Sequence, residues 1–133
     1  MFVPKTCVFE TVDFDTFWLS LEESFNLRNK KPPFNKSVLI KLYELAKTNN
    51  SGSLTVCRHI ESNTILAGTF TMSDKNKTYY ICGYYNPTHK ELGALSYLLW
   101  ENITNCTTPI FDFEGSMIKE IEGEGMYRTD NFA

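Results

Sequence analysis

Residues 79–113 read YYICGYYNPTHKELGALSYLLWENITNCTTPIFDF, and the change of period inside this stretch decides the fold. From Tyr79 to Tyr85 the residues fit the two-residue rhythm of a strand. On that alternation Tyr80 and Tyr84 share one side, with Tyr79 and Tyr85 on the other. Asn86-Pro87 then stops the strand, because Asn is a good helix cap and Pro suits a first helical turn. Thr88 and Glu91 also have capping-box spacing, so the first helical residue is left open. Leu92, Leu95, Leu98, Leu99 and Ile103 recur at helical spacing, with Trp100 on a flank, and predict one helix over 87–104. Thr107-Thr108-Pro109 leads into Ile110 to Phe113, a short strand. Such a passage carries a helix across a sheet to a parallel neighbour and leaves a helix N-terminus beside a strand end. That place attracts anionic or carbonyl ligands.

Upstream, the period of two continues. Leu54, Val56, Arg58 and Ile60 alternate with Thr55, Cys57 and His59, and Ile65 to Met72 reads as a further strand. The polar turns Glu61-Ser62-Asn63 and Asp74-Lys75-Asn76-Lys77 are short, so the three strands form an antiparallel meander. Two helices precede it. Asp13 or Asp15 caps a helix with Phe17, Trp18, Leu21 and Phe25 at helical spacing, which ends before Lys31-Pro32-Pro33. Asn35 or Ser37 caps the next, whose stripe is Val38, Leu39, Leu42, Leu45 and Ala46. Residues 5–10 are β-prone. The predicted order is strand, two helices, meander, helix, strand and a short last helix opened by Ser116. This is an α+β chain with a mixed, largely antiparallel sheet and helices on both faces.

The chain has 133 residues, 42% of them hydrophobic and 22% charged, with a net charge of −3. That is the composition of one soluble globular domain. The acidic balance gives no support to a polyanion such as tRNA; the best basic patch is Arg28, Lys30 and Lys31. The four cysteines, at 7, 57, 82 and 106, lack the close spacing of a zinc site, and His59 and His89 do not complete one. With no signal core or membrane-length apolar run, the sequence predicts a cytoplasmic location and reduced thiols. Asn-x-Thr triplets such as Asn102-Ile103-Thr104 read as chance in an Asn-rich chain.

Residues 110–125 read IFDFEGSMIKEIEGEG. Asp112 and Glu114 are two apart and on a strand face one side. Either acid lines a polar cleft, or it caps the helix near Ser116 or pairs with Arg128 or a lysine. Gly115 allows a tight strand-to-helix turn. His59 and His89 are candidate general bases, with simple exposure the blander explanation.

The element order resembles the GNAT acyltransferase superfamily. Gly93-Ala94, Leu98-Leu99-Trp100 and Asp112-Phe113-Glu114-Gly115-Ser116 resemble GNAT-like proteins related to the peptidoglycan-bridge (Fem-type) aminoacyltransferases. Pro32-Pro33-Phe34 and Leu66-Ala67-Gly68 add to a likeness over roughly residues 14–122. It implies a three-layer α/β lobe that transfers an acyl or aminoacyl group from a thioester or aminoacyl-tRNA donor to an amine, without a further cofactor. The acceptor would be a small molecule or a cell-wall precursor. Lys90, Gly93, Ala94, Tyr84 and Tyr85 would contact the donor, with Glu114 orienting the acceptor amine. Asp112, Gly115, Ser116 and Arg128 would serve the acceptor or the local structure.

Departures from the pattern are equally plain. In CoA-using relatives a Gln/Arg-x-x-Gly-x-Gly/Ala loop holds the pyrophosphate, and here it aligns with Lys90-Glu91-Leu92-Gly93-Ala94-Leu95. Leu95 replaces the second small residue, Glu91 adds a negative charge, and Pro87 removes a donor. Fem-type relatives have two lobes, and residues 1–133 are expected to supply one, without the final strands. The alternative expectation is a non-catalytic lobe that binds a partner, for example as a homodimer through an open sheet edge.

Overall fold

The computed structural model describes residues 7–113, apart from the side chains of residues 90–92. Strand β1 is Cys7–Thr11, helix α1 Phe14–Asn26, helix α2 Lys36–Thr48, strand β2 Gly52–His59, strand β3 Ile65–Ser73 and strand β4 Lys77–Tyr85. A 3-10 segment, Pro87–Leu92, precedes helix α3, Ala94–Thr104, and strand β5, Ile110–Asp112. The sheet order is β1-β2-β3-β4-β5. The first four strands are antiparallel and β5 runs parallel to β4. The meander and the crossover are therefore both present, in a mixed sheet with helices on two faces.

Asp13 is the cap of α1, its carboxylate accepting from the Thr16 N–H at 2.8 Å. Asn35 caps α2 in the same way, from Val38 N–H at 3.2 Å. Helix α1 buries Phe14, Phe17, Trp18, Leu21 and Phe25 against Leu54, Phe70, Cys82 and Tyr84 of the sheet. Each such large side chain contributes about 1.5–3 kcal/mol of burial. On α2 the contact face is Leu39, Leu42, Tyr43 and Ala46. Val38 and Leu45, expected in its stripe, are 53% and 57% exposed. They flank the i, i+3, i+4, i+7 row that meets the sheet.

Helix α3 covers the opposite face. Ala94 and Leu98 pack with Cys57 and Ala67, while Leu99 packs with Tyr80 and Phe113. Asn102 reaches down to the sheet, its amide donating to Thr69 Oγ1 at 2.7 Å, and Thr69 and Thr55 share a hydrogen bond of 2.8 Å. The Asn102 triplet thus has a docking role that its sequence context hid.

Three expectations are corrected. The single helix over 87–104 is divided by Gly93, whose φ of 65° ends the 3-10 segment and lets α3 restart. A left-handed residue cannot continue either helix. Second, Tyr80 and Tyr84 lie on opposite faces. Phe70 pairs with Cys82 but Thr71 pairs with Tyr80, so β4 carries one extra residue, Ile81, in a bulge. The inserted residue reverses the alternation above it. Third, Ile103, expected within the stripe of the helix, is 37% exposed; Trp100, on the flank as the sequence puts it, is 62% exposed. Glu114, Gly115, Ser116 and Arg128, with the helix expected after Ser116, lie outside the described residues.

Candidate active site

The chain reverses after β4 at the end of the sheet where α1 also finishes. Asn86 anchors this reversal, its backbone N–H donating to Leu66 O at 2.7 Å. Its side-chain oxygen accepts from the Thr88 N–H at 2.9 Å, which settles the capping ambiguity in favour of Asn86. Pro87 then sets the first turn, and Gly93 brings the start of α3 back over the sheet. Gly93 supplies no side-chain cap, so no side chain at the cap position competes for the first-turn N–H groups, the usual attraction of such a terminus for anions.

Below this point β5 closes the sheet only briefly. It pairs with β4 from Lys77–Ile110 to Tyr79–Asp112. Phe113 leaves the ladder and sets its ring 5.9 Å from that of Tyr80. The upper part of β4 therefore lies beyond the described β5 pairing, and Tyr85 at its end packs against the cluster that holds Ala94 at the start of α3.

The candidate residues are distributed around this reversal. Gly93 and Ala94 are at the start of α3, where Ala94 is buried. Lys90 belongs to the 3-10 segment. Tyr85 ends β4, with the Arg28 guanidinium 4.9 Å from its ring centroid. Tyr84, expected at the donor, faces the other way. It is 2% exposed, meets Phe17 edge-on at 5.3 Å and hydrogen-bonds Ser20 through its hydroxyl. Its ring lies over Gly68, where any Cβ would come within 2.5 Å of it. Burial raises the Tyr84 pKa, keeping the phenol neutral. The bulge that turned it under α1 is the reason it leaves the cleft.

Asp112 is the last residue of β5, 3.7 Å from Lys77 Nζ, in a half-exposed ion pair. Its described partner is thus one of the lysines foreseen as a structural option. His59 and His89, far apart in sequence, stack at 6.3 Å with ring planes 10° apart. The Ser62 N–H donates to His59 Nδ1 at 3.3 Å, so that nitrogen is an acceptor. Burial raises the thiol pKa of Cys57, aided by a hydrogen bond with Cys7, and pushes that of Cys82 up to about 12, as expected of packed, unreactive cysteines. Among the described residues no group of three or more His, Cys, Asp or Glu could hold a metal ion, and no helix is long and apolar enough to cross a membrane.

A separate concavity of about 290 Å³ lies at the other end of the α3 face, lined by Thr55, Thr71, Thr78, Asn102 and Cys106 among others. Sequence reasoning gave no sign of it, because its hydroxyls come from four strands and two loops. Burial raises the Cys106 pKa there, but hydrogen bonds with Thr108 and Thr78 outweigh it and leave the thiol below its ordinary value.

No family model and no curated relative matches the sequence. Solved structures do match the fold. A GNAT-family acetyltransferase from Staphylococcus aureus Mu50 superposes with a TM-score of 0.61 at 14% identity, over 90% of this chain and 81% of that one. An aminoglycoside acetyltransferase from an uncultured soil metagenomic sample, in complex with sisomicin, gives 0.61 at 12% identity, over 91% and 85%. An acetyltransferase from Clostridium acetobutylicum with acetyl-CoA gives 0.52 at 16% identity, over 96% and 94%. The fold is that of the GNAT acetyltransferases.

Proposed function

We propose that this chain is a single acyltransferase lobe that moves an acyl group from a thioester donor to an amine. The observation that carries the proposal is the reversal at Asn86–Gly93. It sets an uncapped helix start over the upper part of β4 within a GNAT fold. A site of this kind does little covalent work. It holds donor and amine in register while a side chain or water takes the amine proton. Lys90, Gly93, Ala94 and Tyr85 contact the donor, and Glu114 orients the acceptor amine. Asp112 supports β5 through Lys77, and Gly115, Ser116 and Arg128 are assigned to the acceptor or the local structure. Acetyl-CoA in one structural neighbour favours a CoA thioester. The Asp112–Ser116 motif and the altered Lys90–Leu95 loop favour the Fem-type variant, with an aminoacyl-tRNA donor and a cell-wall-precursor acceptor.

Thermal unfolding in the presence of acetyl-CoA, longer acyl-CoAs and aminoacyl-tRNA mimics tests the proposal. A ligand that binds only the folded state raises the melting point, by an amount equivalent to about 2.7 kcal/mol at 100 times Kd. A rise with one donor class identifies the donor. No rise with any of them, together with a dimer in sedimentation, would favour a non-catalytic lobe paired through a sheet edge. Glu114→Ala should slow transfer without moving the melting shift; unchanged transfer removes Glu114 from its role.

A further inference from the structure

Arg28 stands in the turn between α1 and α2, at the same end of the sheet as the reversal after β4. Its Cζ is 4.4 Å from the ring centroid of Phe25 and 4.9 Å from that of Tyr85. Its Nε is buried and has no hydrogen-bond partner among the described residues. The ion pairs among those residues use other cations, Arg58 with Glu10 and Lys77 with Asp112. A buried charged donor without an acceptor is destabilising, so a fold that keeps one calls for an explanation.

The surrounding turn holds the group in place. Asn29 adopts a φ of 57°, and the N–H groups of Asn29 and Lys30 donate back to Asn26 O and Phe25 O at 2.9 and 3.0 Å. The two rings fix the guanidinium by cation–π contact. Fixed in this way, the half-exposed guanidinium suits binding of a carboxylate or phosphate through its Nη groups, with little ordering still to be done. Lys30 and Lys31 follow on the same turn and add to the positive field.

We propose that Arg28 binds the anionic group of the acceptor, so that the substrate is a small amine that also carries a carboxylate or phosphate. This rests on the acyl-transfer proposal above. The position argues for acceptor rather than donor. Arg28 follows directly on α1 and lies against Phe25 of the α1 core, whereas Ala94 at the start of α3 packs in the core on the other face.

The test follows the Nε–H resonance of Arg28 in the full chain, assigned by its loss in Arg28→Lys. Matched probes are a small amino acid against its amide, and phosphoethanolamine against ethanolamine. The proposal expects a saturable shift with an anionic amine and none with its neutral partner. The acid that saturates at the lower concentration distinguishes carboxylate from phosphate. Arg28→Lys should weaken that binding at least tenfold while leaving the melting shift with acyl-CoA intact. Absence of saturation with both anionic amines overturns the proposal, as does an equal response to the neutral partners. Loss of the acyl-CoA shift in Arg28→Lys also overturns it, because Arg28 would then serve the donor. The titration requires no turnover. If no donor raises the melting point but Arg28 still responds, the acyl-transfer reading fails while the anion site stands. If Arg28→Lys does not fold, Arg58→Lys and Arg128→Lys assign the other two arginine Nε–H resonances, leaving that of Arg28, and the wild-type titration decides.

Discussion

Replacing Gly93 separates the two reasons for a glycine at the start of α3. At a φ of 65° any residue with a Cβ meets its following carbonyl, at roughly 1–2 kcal/mol for an ordinary L-residue. Gly93→Ala also narrows the unfolded ensemble by about 0.4–1 kcal/mol, but where φ is positive the native strain prevails. The difference leaves a net loss of about 1 kcal/mol. With an unfolding entropy near 2.1 cal/mol/K per residue, that lowers the melting point of a chain of this length by about 4 °C. Asparagine tolerates the left-handed region and caps helices well. Gly93→Asn should therefore recover most of the stability lost by the alanine variant. Denaturant unfolding of the three proteins, with acyl-CoA binding measured by calorimetry, reads both effects. If the donor approaches the backbone here, the asparagine variant stays folded but binds donor more weakly. Equal loss of stability in both variants, or none in the alanine variant, refutes the argument that the left-handed conformation places α3.

Tyr84→Phe should cost about 1 kcal/mol, the usual net worth of a buried hydroxyl's bond, and a double-mutant cycle with Ser20→Ala should show coupling, since each is the other's partner; independent effects would place the hydroxyl elsewhere. Asn102→Ala should also cost about 1 kcal/mol, because Thr55 and Thr69 still satisfy each other once the amide is gone; equilibrium unfolding measures it, and a loss several times larger would mean that α3 had detached. Backbone donors from Lys77 and then Asn76 hold the Asp74 carboxyl below its ordinary 3.8. A lowered folded pKa contributes stability above 3.8 that is lost as pH falls through the folded value; Asp74→Ala should thus be less stable than wild type at neutral pH and equal to it in acid, and a constant gap across that range would show the charge to be irrelevant.

The local chemistry of the chain was enough to specify most elements. Asp13 and Asn35 cap their helices because the cap bond is made to an N–H three residues on, a partner the sequence itself provides. The meander follows from two short polar turns, and the parallel β5 from a helix too long to be a hairpin loop. Sequence alternation could not register the extra residue at Ile81. A bulge is defined by what the neighbouring strand pairs with, and only β3 shows that Thr71 skips to Tyr80. That slip sent Tyr84 under α1 and Tyr80 under α3. The kink at Gly93 was hidden for a related reason, since leucines on both sides keep helical spacing across it.

The candidate site divides along the same line. Asn86-Pro87 was legible as the strand stop and the opening of a helical segment, because caps and breakers act over a few residues. The stacked pair His59–His89, the Asn102–Thr69 link and the ring-bracketed Arg28 were not. Each joins residues far apart in the chain. The sequence by itself determined which segments become strands and helices and in what order, through contacts within one turn or one hairpin. The tertiary structure alone decided which face each side chain occupies and which charges are left facing the cleft, because those depend on the register of one strand against another.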